Sequence, residues 1–408
     1  MRIAQLRFKF LAGRETDVSK REMRAPARML GVKSWDAIVV GAGIIGLALA
    51  IELDRQGLRV LVVEKSEPGR EASWAAGGML VDFPAETLPE LRELATASVR
   101  MYPEFVHELE DESGLKIDLR AVGTLVLSRV KTWLGPLSAG QSPATTQAYA
   151  LPQPLAALEP ALQILNNPAP HLTVLYIKEC CVDPRHLTTA AIAAARHRGV
   201  DFSSGDHVLA VEVVDGKASG VRTNKTQFAA GMVVNCAGAW AGQIGPHPFP
   251  TRPVKGQMLY VAMPEKELVR HVVRTMGLTP DVYLIPRSDG RMLIGTTVEE
   301  AGFDKQTVPE TILKLRNAAV DLVPRLGDAR ILEAWAGLRP GTPDGLPILG
   351  ATPTPGYFVA TGHFRDGILL APVTAKVMAE VMTGQTPSWQ LVAFAAQRFS
   401  QENPTDAW

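Results

Sequence analysis

The segment Gly41-Ala-Gly-Ile-Ile-Gly46 stands between a short apolar run, Asp36-Ala-Ile-Val-Val40, and a stretch from Leu47 to Gln56 with helical patterning that Gly57 stops. Leu58-Arg-Val-Leu-Val-Val63 follows as a second apolar run, closed by Glu64. A strand–helix–strand unit of about 30 residues is a right-handed crossover between parallel strands. G-x-G-x-x-G is weak evidence by itself, but between a buried strand and a helix it predicts a dinucleotide site. Gly41 permits the tight turn, Gly43 lets backbone approach a pyrophosphate, and Gly46 allows close helix–strand packing. The helix start offers unpaired N–H groups and a positive dipole end to phosphates. Glu64 lies 18 positions after Gly46. There it can accept hydrogen bonds from both ribose hydroxyls and repel a 2′-phosphate, which favours FAD or NAD over NADP.

Further elements are legible downstream. A helix is expected between roughly 86 and 113, then short strands and Pro-rich loops from about 117 to 180. Asp183-Pro184 is a good N-cap and first helical position for a helix that ends at Gly199. Asp215-Gly216 predicts a hairpin between Val208–Val214 and Gly220–Thr223. Met232–Gly238 reads as another buried strand. Strands are expected over Gln257–Ala262, Val282–Pro286 and Met292–Thr297, with a helix near 309–323. Tyr357–Thr361 is a strand that leads through the loop to Gly367 into a helix over about 368–383.

The expected fold class is α/β. A Rossmann-like nucleotide domain takes 35–115, 181–252 and 342–408. An α+β substrate domain on a mostly antiparallel sheet takes 116–180 and 253–341. Residues 1–34 are expected to form a flexible extension.

Composition narrows the function class. The 408 residues carry 42 Lys+Arg and 42 Asp+Glu, so net charge predicts neither a nucleic-acid nor an anionic-membrane partner. The longest uncharged apolar run, Ala37 to Ile51, is shorter than the roughly 20 residues of a membrane span, and no span is expected. Cys180, Cys181 and Cys236 cannot all pair within one chain, and no metal-ligand spacing appears. Free thiols, a cytoplasmic location and no metal are the expectation.

Two segments favour FAD over NAD. Arg70-Glu-Ala-Ser-Trp-Ala-Ala-Gly-Gly-Met79 is built of small residues, as a chain running close along an extended cofactor requires, and reads as neither a packed helix nor a strand. Thr361-Gly-His-Phe-Arg-Asp-Gly367 links a strand to a helix whose N-terminal dipole would face a flavin edge that gains negative charge on reduction.

These residues resemble the D-amino acid oxidase and sarcosine oxidase superfamily, and within it the glycine oxidase branch of the thiamine-biosynthesis type. The carrying motifs are Gly41–Gly46 with Glu64, Ala75-Ala-Gly-Gly-Met-Leu80, Leu158-Glu-Pro-Ala161 and Pro253-Val-Lys-Gly256. With them go Tyr283-Leu-Ile-Pro-Arg287, Trp335-Ala-Gly-Leu-Arg-Pro-Gly-Thr-Pro-Asp344 and Gly362-His-Phe-Arg-Asp-Gly-Ile-Leu-Leu-Ala-Pro372. The resemblance spans about residues 36–395. It implies a non-covalent FAD, a sheet roofing the flavin, and a homo-oligomer.

The implied reaction is oxidative deamination of glycine or another small amino acid. Hydride passes from the α-carbon to flavin N5, O2 is reduced to H2O2, and the imino acid hydrolyses to a keto acid (glyoxylate) and ammonia. The alternative is a secondary-amine or D-amino acid oxidase, or a dehydrogenase with a non-oxygen acceptor. By resemblance, Arg339 anchors the substrate carboxylate, Tyr283 assists through its hydroxyl, and Arg365 serves substrate and cofactor. The implied FAD contacts are Gly41, Gly43, Ile44, Ile45, Gly46, Glu64, Lys65, Ala72, Ser73, Gly77, Gly78, Met79 and Val208, with His363, Phe364, Arg365, Asp366, Gly367, Ile368 and Leu369. Two positions depart from the pattern. Val298 replaces a pocket-wall methionine, and Asp281 stands where a neutral or basic residue is usual; both bear on side-chain tolerance.

Overall fold

β1 (Ser34–Val40), α1 (Ile44–Arg55) and β2 (Val60–Glu64) form the crossover that opens the chain. The structure is a computed structural model and describes residues 34–83, 86–129, 148–149, 151, 153–163 and 172–399. The expected extension over 1–34 lies, apart from Ser34, outside them, as does most of 130–171.

β1 and β2 pair in parallel from Ala37↔Val60 to Val40↔Val63. β2 pairs in parallel with Asp201–Ser204, the strand that follows helix Pro184–Arg198. On its other side β1 neighbours Gln227–Asn235, which pairs in parallel with Tyr357–Thr361. The strand order therefore reverses beside β1, and the glycine turn leaves β1 at that switch point, where open α/β sheets bind ligands. Alternate residues of β1 enter two cores. Ala37 and Val39 pack with Leu47, Leu49, Ala190, Ala194, Val377 and Met378 under the helices. Ile38 and Val40 pack with Val211, Val221 and Tyr357 under a hairpin of Val208–Val214 and Lys217–Thr223. Its loop residues Asp215 and Gly216 both have positive φ, 49° and 77°, as a two-residue hairpin turn requires.

The second eight-stranded sheet runs in the order Ile331–Gly341, Arg252–Ala262, Arg291–Gly295, Tyr283–Pro286, Val272–Met276, Thr124–Ser128, Thr173–Ile177, Ala148–Tyr149. All pairs are antiparallel except Val272–Met276 with Thr124–Ser128. Helix Pro309–Leu322 covers one face through Ile312, Leu315 and Ala319, which pack with Leu259, Leu284 and Ile294. The other face turns to the cavity described below. A small sheet of Met79–Leu80, Cys180–Val182 and Leu119–Arg120 joins the two.

Three expectations need correction. α1 begins at Ile44 rather than Leu47, because the Gly43 carbonyl already accepts the Leu47 amide at 2.9 Å. Residues 70–79 are not structureless: Ala72–Ala75 makes one helical turn and Met79–Leu80 a strand. Trp74 fixes that turn by stacking under Arg70 and Arg185, at 3.8 and 4.6 Å from its ring centroid. The last long helix starts at Ala371, not 368. The Asp366 carbonyl holds the Leu370 amide at 2.8 Å in a preceding turn, and Pro372 occupies the first helical turn.

Candidate active site

At the end of β1 the Gly41 amide donates to the Val63 carbonyl at 2.8 Å, and its φ of 103° is closed to other residues. A Cβ on Gly41 would lie 2.6 Å from the Cys236 carbonyl oxygen, and one on Gly46 would lie 2.1 Å from the Gly41 carbonyl oxygen. Gly43 differs: its missing Cβ would meet only Ser73 Oγ, at 3.3 Å. Ser73 Oγ accepts the Ile44 amide at 2.9 Å. Among the described residues the Gly43 and Ile45 amides have no acceptor, so the helix start presents free donors. Glu64 is buried; one carboxylate oxygen accepts the Ala42 amide at 2.8 Å and the other the Ser66 amide at 3.0 Å. Lys65 sits 2.9 Å from the Trp240 ring centroid and 3.6 Å from Glu71, and burial lowers its pKa.

The substrate-side anchor is cut into the second sheet by glycines. Arg339 faces Val254 across the strand pair, and its guanidinium lies over Gly256, where a Cβ would come within 2.4 Å of it. The Tyr283 ring lies over its register partner Gly295 in the same way, at 2.7 Å. Gly337 admits Ala75, whose Cβ would stand 2.3 Å from an added Cβ. Glycine inside a strand marks close approach, and these three positions let two large polar side chains and the 72–75 turn lie against one face. Arg339 donates to Thr296 Oγ1 at 2.9 Å and to the Thr297 carbonyl at 3.2 Å, with the Lys255 carbonyl at 3.5 Å. Among the described residues no carboxylate pairs with it. Burial lowers its pKa, Tyr283 opposes that shift, and Arg365 adds to it. Burial raises the Tyr283 hydroxyl, with Arg339 opposing. A half-desolvated cation without an anion is a site for one.

The loop after Tyr357–Thr361 completes the wall. Arg365 is exposed and stacks 5.2 Å from the Phe364 ring centroid. Burial raises Asp366 to about 6. His363 is buried against Thr374 Oγ1 at 3.1 Å, and burial lowers it to about 3, so it is neutral at physiological pH and engaged away from the anchor.

Beyond Tyr283 the cavity meets charges that sequence reading did not single out. Arg274, the cross-strand partner of Tyr283, forms a two-pronged pair with Glu86 at 2.6 and 2.8 Å. Behind it the buried Glu179 bonds Thr124 Oγ1, and burial raises it to about 7. A carboxyl whose folded pKa lies above its unfolded value stabilises fully below the unfolded value, and that contribution is lost as pH rises through the folded value. Wild-type stability should therefore fall between about pH 4.5 and 7 relative to Glu179→Gln, by about 1–3 kcal/mol. Urea melts of both proteins at several pH values check this; parallel pH curves would contradict it. Asp281 turns to its own hairpin, accepting the Leu278 and Gly277 amides at 2.8 and 3.1 Å. Val298 is 53% exposed at the cavity wall.

The glycine turn, Glu64, the 72–79 segment, Tyr283 and Arg339 border one cavity of about 1190 Å³. Gly41, Gly43, Ile44, Ile45, Glu64, Lys65 and Val208 line one end, and Ala72, Ser73, Gly77, Gly78 and Met79 the middle. Tyr283, Arg339 and His363 to Ile368 line the other end. Gly46 lies behind the turn, and the Leu369 side chain is buried in the helical core. The expected cofactor fits: free amide donors wait at the helix start, a buried carboxylate stands beyond it, and glycine-lined space runs on to the anchor. Reading the sequence missed Thr296 and Gly295, and gave Gly256 a place in a motif but no role. Strand-interior glycines were the available signal.

The sequence profile of the family described as FAD dependent oxidoreductase (DAO) matches residues 36–381. Glycine oxidase of Pseudomonas aeruginosa is 34% identical over 366 residues, covering 86% of this chain and 95% of that one. The bifunctional protein ThiO/ThiG of Trichormus variabilis is 34% identical over 376 residues. That match covers 91% of this chain and 56% of that protein, so the chain spans about half the length of the bifunctional relative. The crystal structure of glycine oxidase from Geobacillus kaustophilus superposes with a TM-score of 0.79 at 30% identity, covering 90% of this chain and 99% of that one. A cavity that joins a dinucleotide turn to an unpaired arginine, on a chain matched over this length, has one assignment: the protein belongs to the DAO family of FAD dependent oxidoreductases.

Proposed function

We propose that the protein oxidises glycine or another small amino acid. The observation that carries this reading is Arg339, a cavity-facing guanidinium with neutral oxygens on its rear side and, among the described residues, no carboxylate partner. A planar fork matches a carboxylate in geometry and charge. Tyr283 lies beside it over Gly295 and adds a hydroxyl. Arg365 adds positive charge at the rim of the same end. Holding the carboxylate there fixes the α-carbon in the middle of the cavity, and orientation of that kind is the main contribution these residues make. FAD, when bound, supplies the two-electron acceptor for hydride from the α-carbon, with O2 as the final oxidant. Glyoxylate and ammonia are the products from glycine. The relatives named glycine oxidase and ThiO/ThiG support this substrate class and a role in thiamine thiazole biosynthesis.

The adenosine end belongs to Glu64, Val208 and the glycine turn, the middle to 72–79, and the flavin side to residues 363–368. Non-covalent attachment is supported by Cys236, the cysteine at the cavity wall, whose thiol burial keeps protonated beside the glycine turn. The two eight-stranded sheets support the division into 35–115, 181–252 and 342–408 against 116–180 and 253–341. Among the described residues no helix is long and apolar enough to cross a membrane. The free thiols of Cys180, Cys181 and Cys236 support a cytoplasmic location, and the family resemblance a homo-oligomer.

A peroxide-coupled screen of glycine, sarcosine, D-alanine and proline against purified holoprotein tests the reading. Peroxide from at least one small amino acid is expected, and none from simple amines. Glu64→Ala should weaken FAD binding by about 1.5–3 kcal/mol, the scale of a hydrogen bond to a charged group. A fluorescence titration giving an unaltered FAD dissociation constant would remove Glu64 from the adenosine end.

A further inference from the structure

We propose that Arg287 is a positioning residue that turns the Gly78 amide N–H toward the bound flavin. The inference rests on the reading that FAD lies along residues 72–79. Arg287 is 3% exposed and does not line the cavity, whereas Gly77 and Gly78 do. It follows the strand Tyr283–Pro286 in the stretch Tyr-Leu-Ile-Pro-Arg. One terminal guanidinium nitrogen donates to the Gly77 carbonyl at 2.7 Å and the other to the Val182 carbonyl at 3.1 Å. Its Nε faces the Tyr260 hydroxyl at 3.4 Å, and Asp183 stands 3.8 Å away.

The Gly77–Gly78 peptide is trans and planar, so the Gly78 N–H points opposite to the Gly77 carbonyl. With that carbonyl drawn back to Arg287, behind the wall, the N–H points to the cavity. The Gly78 carbonyl is itself drawn away, accepting the Val182 amide at 2.8 Å. Among the described residues the Gly78 N–H has no acceptor. Gly78 has φ of 83°, and a Cβ there would lie 2.0 Å from the Val182 oxygen, so both conformation and contact demand glycine. The result is a donor held in place before any ligand arrives, suited to a carbonyl or ring nitrogen of an isoalloxazine. The fork of Arg287 restrains the two carbonyls at once, which the single ammonium of lysine cannot reproduce.

Site-resolved amide hydrogen exchange with and without FAD tests this. In the wild type FAD should slow Gly78 exchange by about tenfold or more, the scale of one net hydrogen bond. In Arg287→Lys most of that protection should disappear, while FAD still protects the Gly43 and Ile45 amides and the visible flavin band shifts toward that of free FAD. A general loosening would affect all three amides alike. Equal Gly78 exchange with and without FAD in the wild type would overturn the inference, as would full protection in Arg287→Lys. If that variant does not fold, the wild-type comparison decides alone. A wild-type protein that fails to bind FAD would overturn the cofactor placement as well, which separates the two failures.

Discussion

Arg339→Ala should lower kcat/KM for glycine by about thirtyfold or more, the effect of losing about 2–5 kcal/mol when a buried charged partner goes. FAD should stay bound, because Arg339 contacts the second sheet and not the glycine turn. The loss is large because nothing nearby can replace the residue. Arg365 is exposed at the rim, and Arg274 is already matched by Glu86. Arg339→Lys should recover little, since one ammonium cannot reproduce a two-pronged contact while keeping Thr296 and Thr297 satisfied. Steady-state kinetics on FAD-loaded protein measures this, and near-unchanged turnover would take Arg339 out of the active site.

The second large effect is on the cofactor. Gly41→Ala should lose most FAD binding and cost about 1–3 kcal/mol of stability from backbone strain alone. The methyl group would demand a disfavoured conformation at φ of 103° and sit 2.6 Å from the Cys236 oxygen. Relief requires moving the end of β1 away from Gln227–Asn235, where the Cys236 amide meets the Val40 carbonyl at 2.8 Å. That motion would carry the helix start off the phosphate position. FAD titration and thermal melts of the apoprotein measure the two parts. A variant that binds FAD as tightly as wild type would contradict the role given to the turn.

Much of this architecture is legible in the sequence. The turn at Gly41–Gly46, the hairpin at Asp215-Gly216 and the Asp183 cap with Pro184 are local devices, and each appears where its residues stand. Element ends were less legible. α1 gains a turn from the Gly43 carbonyl, and the helix at Ala371 loses one to the Asp366 turn, because caps depend on contacts that patterning does not encode. The anchor was legible only by resemblance. In a polar-apolar pattern Arg339 and Tyr283 look like a surface charge and a core aromatic. What makes them a pair is the second sheet's register, which sets Gly295 beneath Tyr283 from the next strand and Gly256 beneath Arg339 from a strand far away in sequence. Arg274 with Glu86 is a contact across 188 positions, and Arg287 with Gly77 spans 210; local periodicity carries no trace of either.

The most direct test compares glycine with methylamine, which lacks only the carboxylate, by anaerobic mixing with the FAD-loaded protein. Held by Arg339, glycine should bleach the visible flavin band, and methylamine should leave it unchanged over the same time. Equally rapid bleaching by methylamine would show that the guanidinium does not position the substrate, and the amino-acid assignment would fall with it.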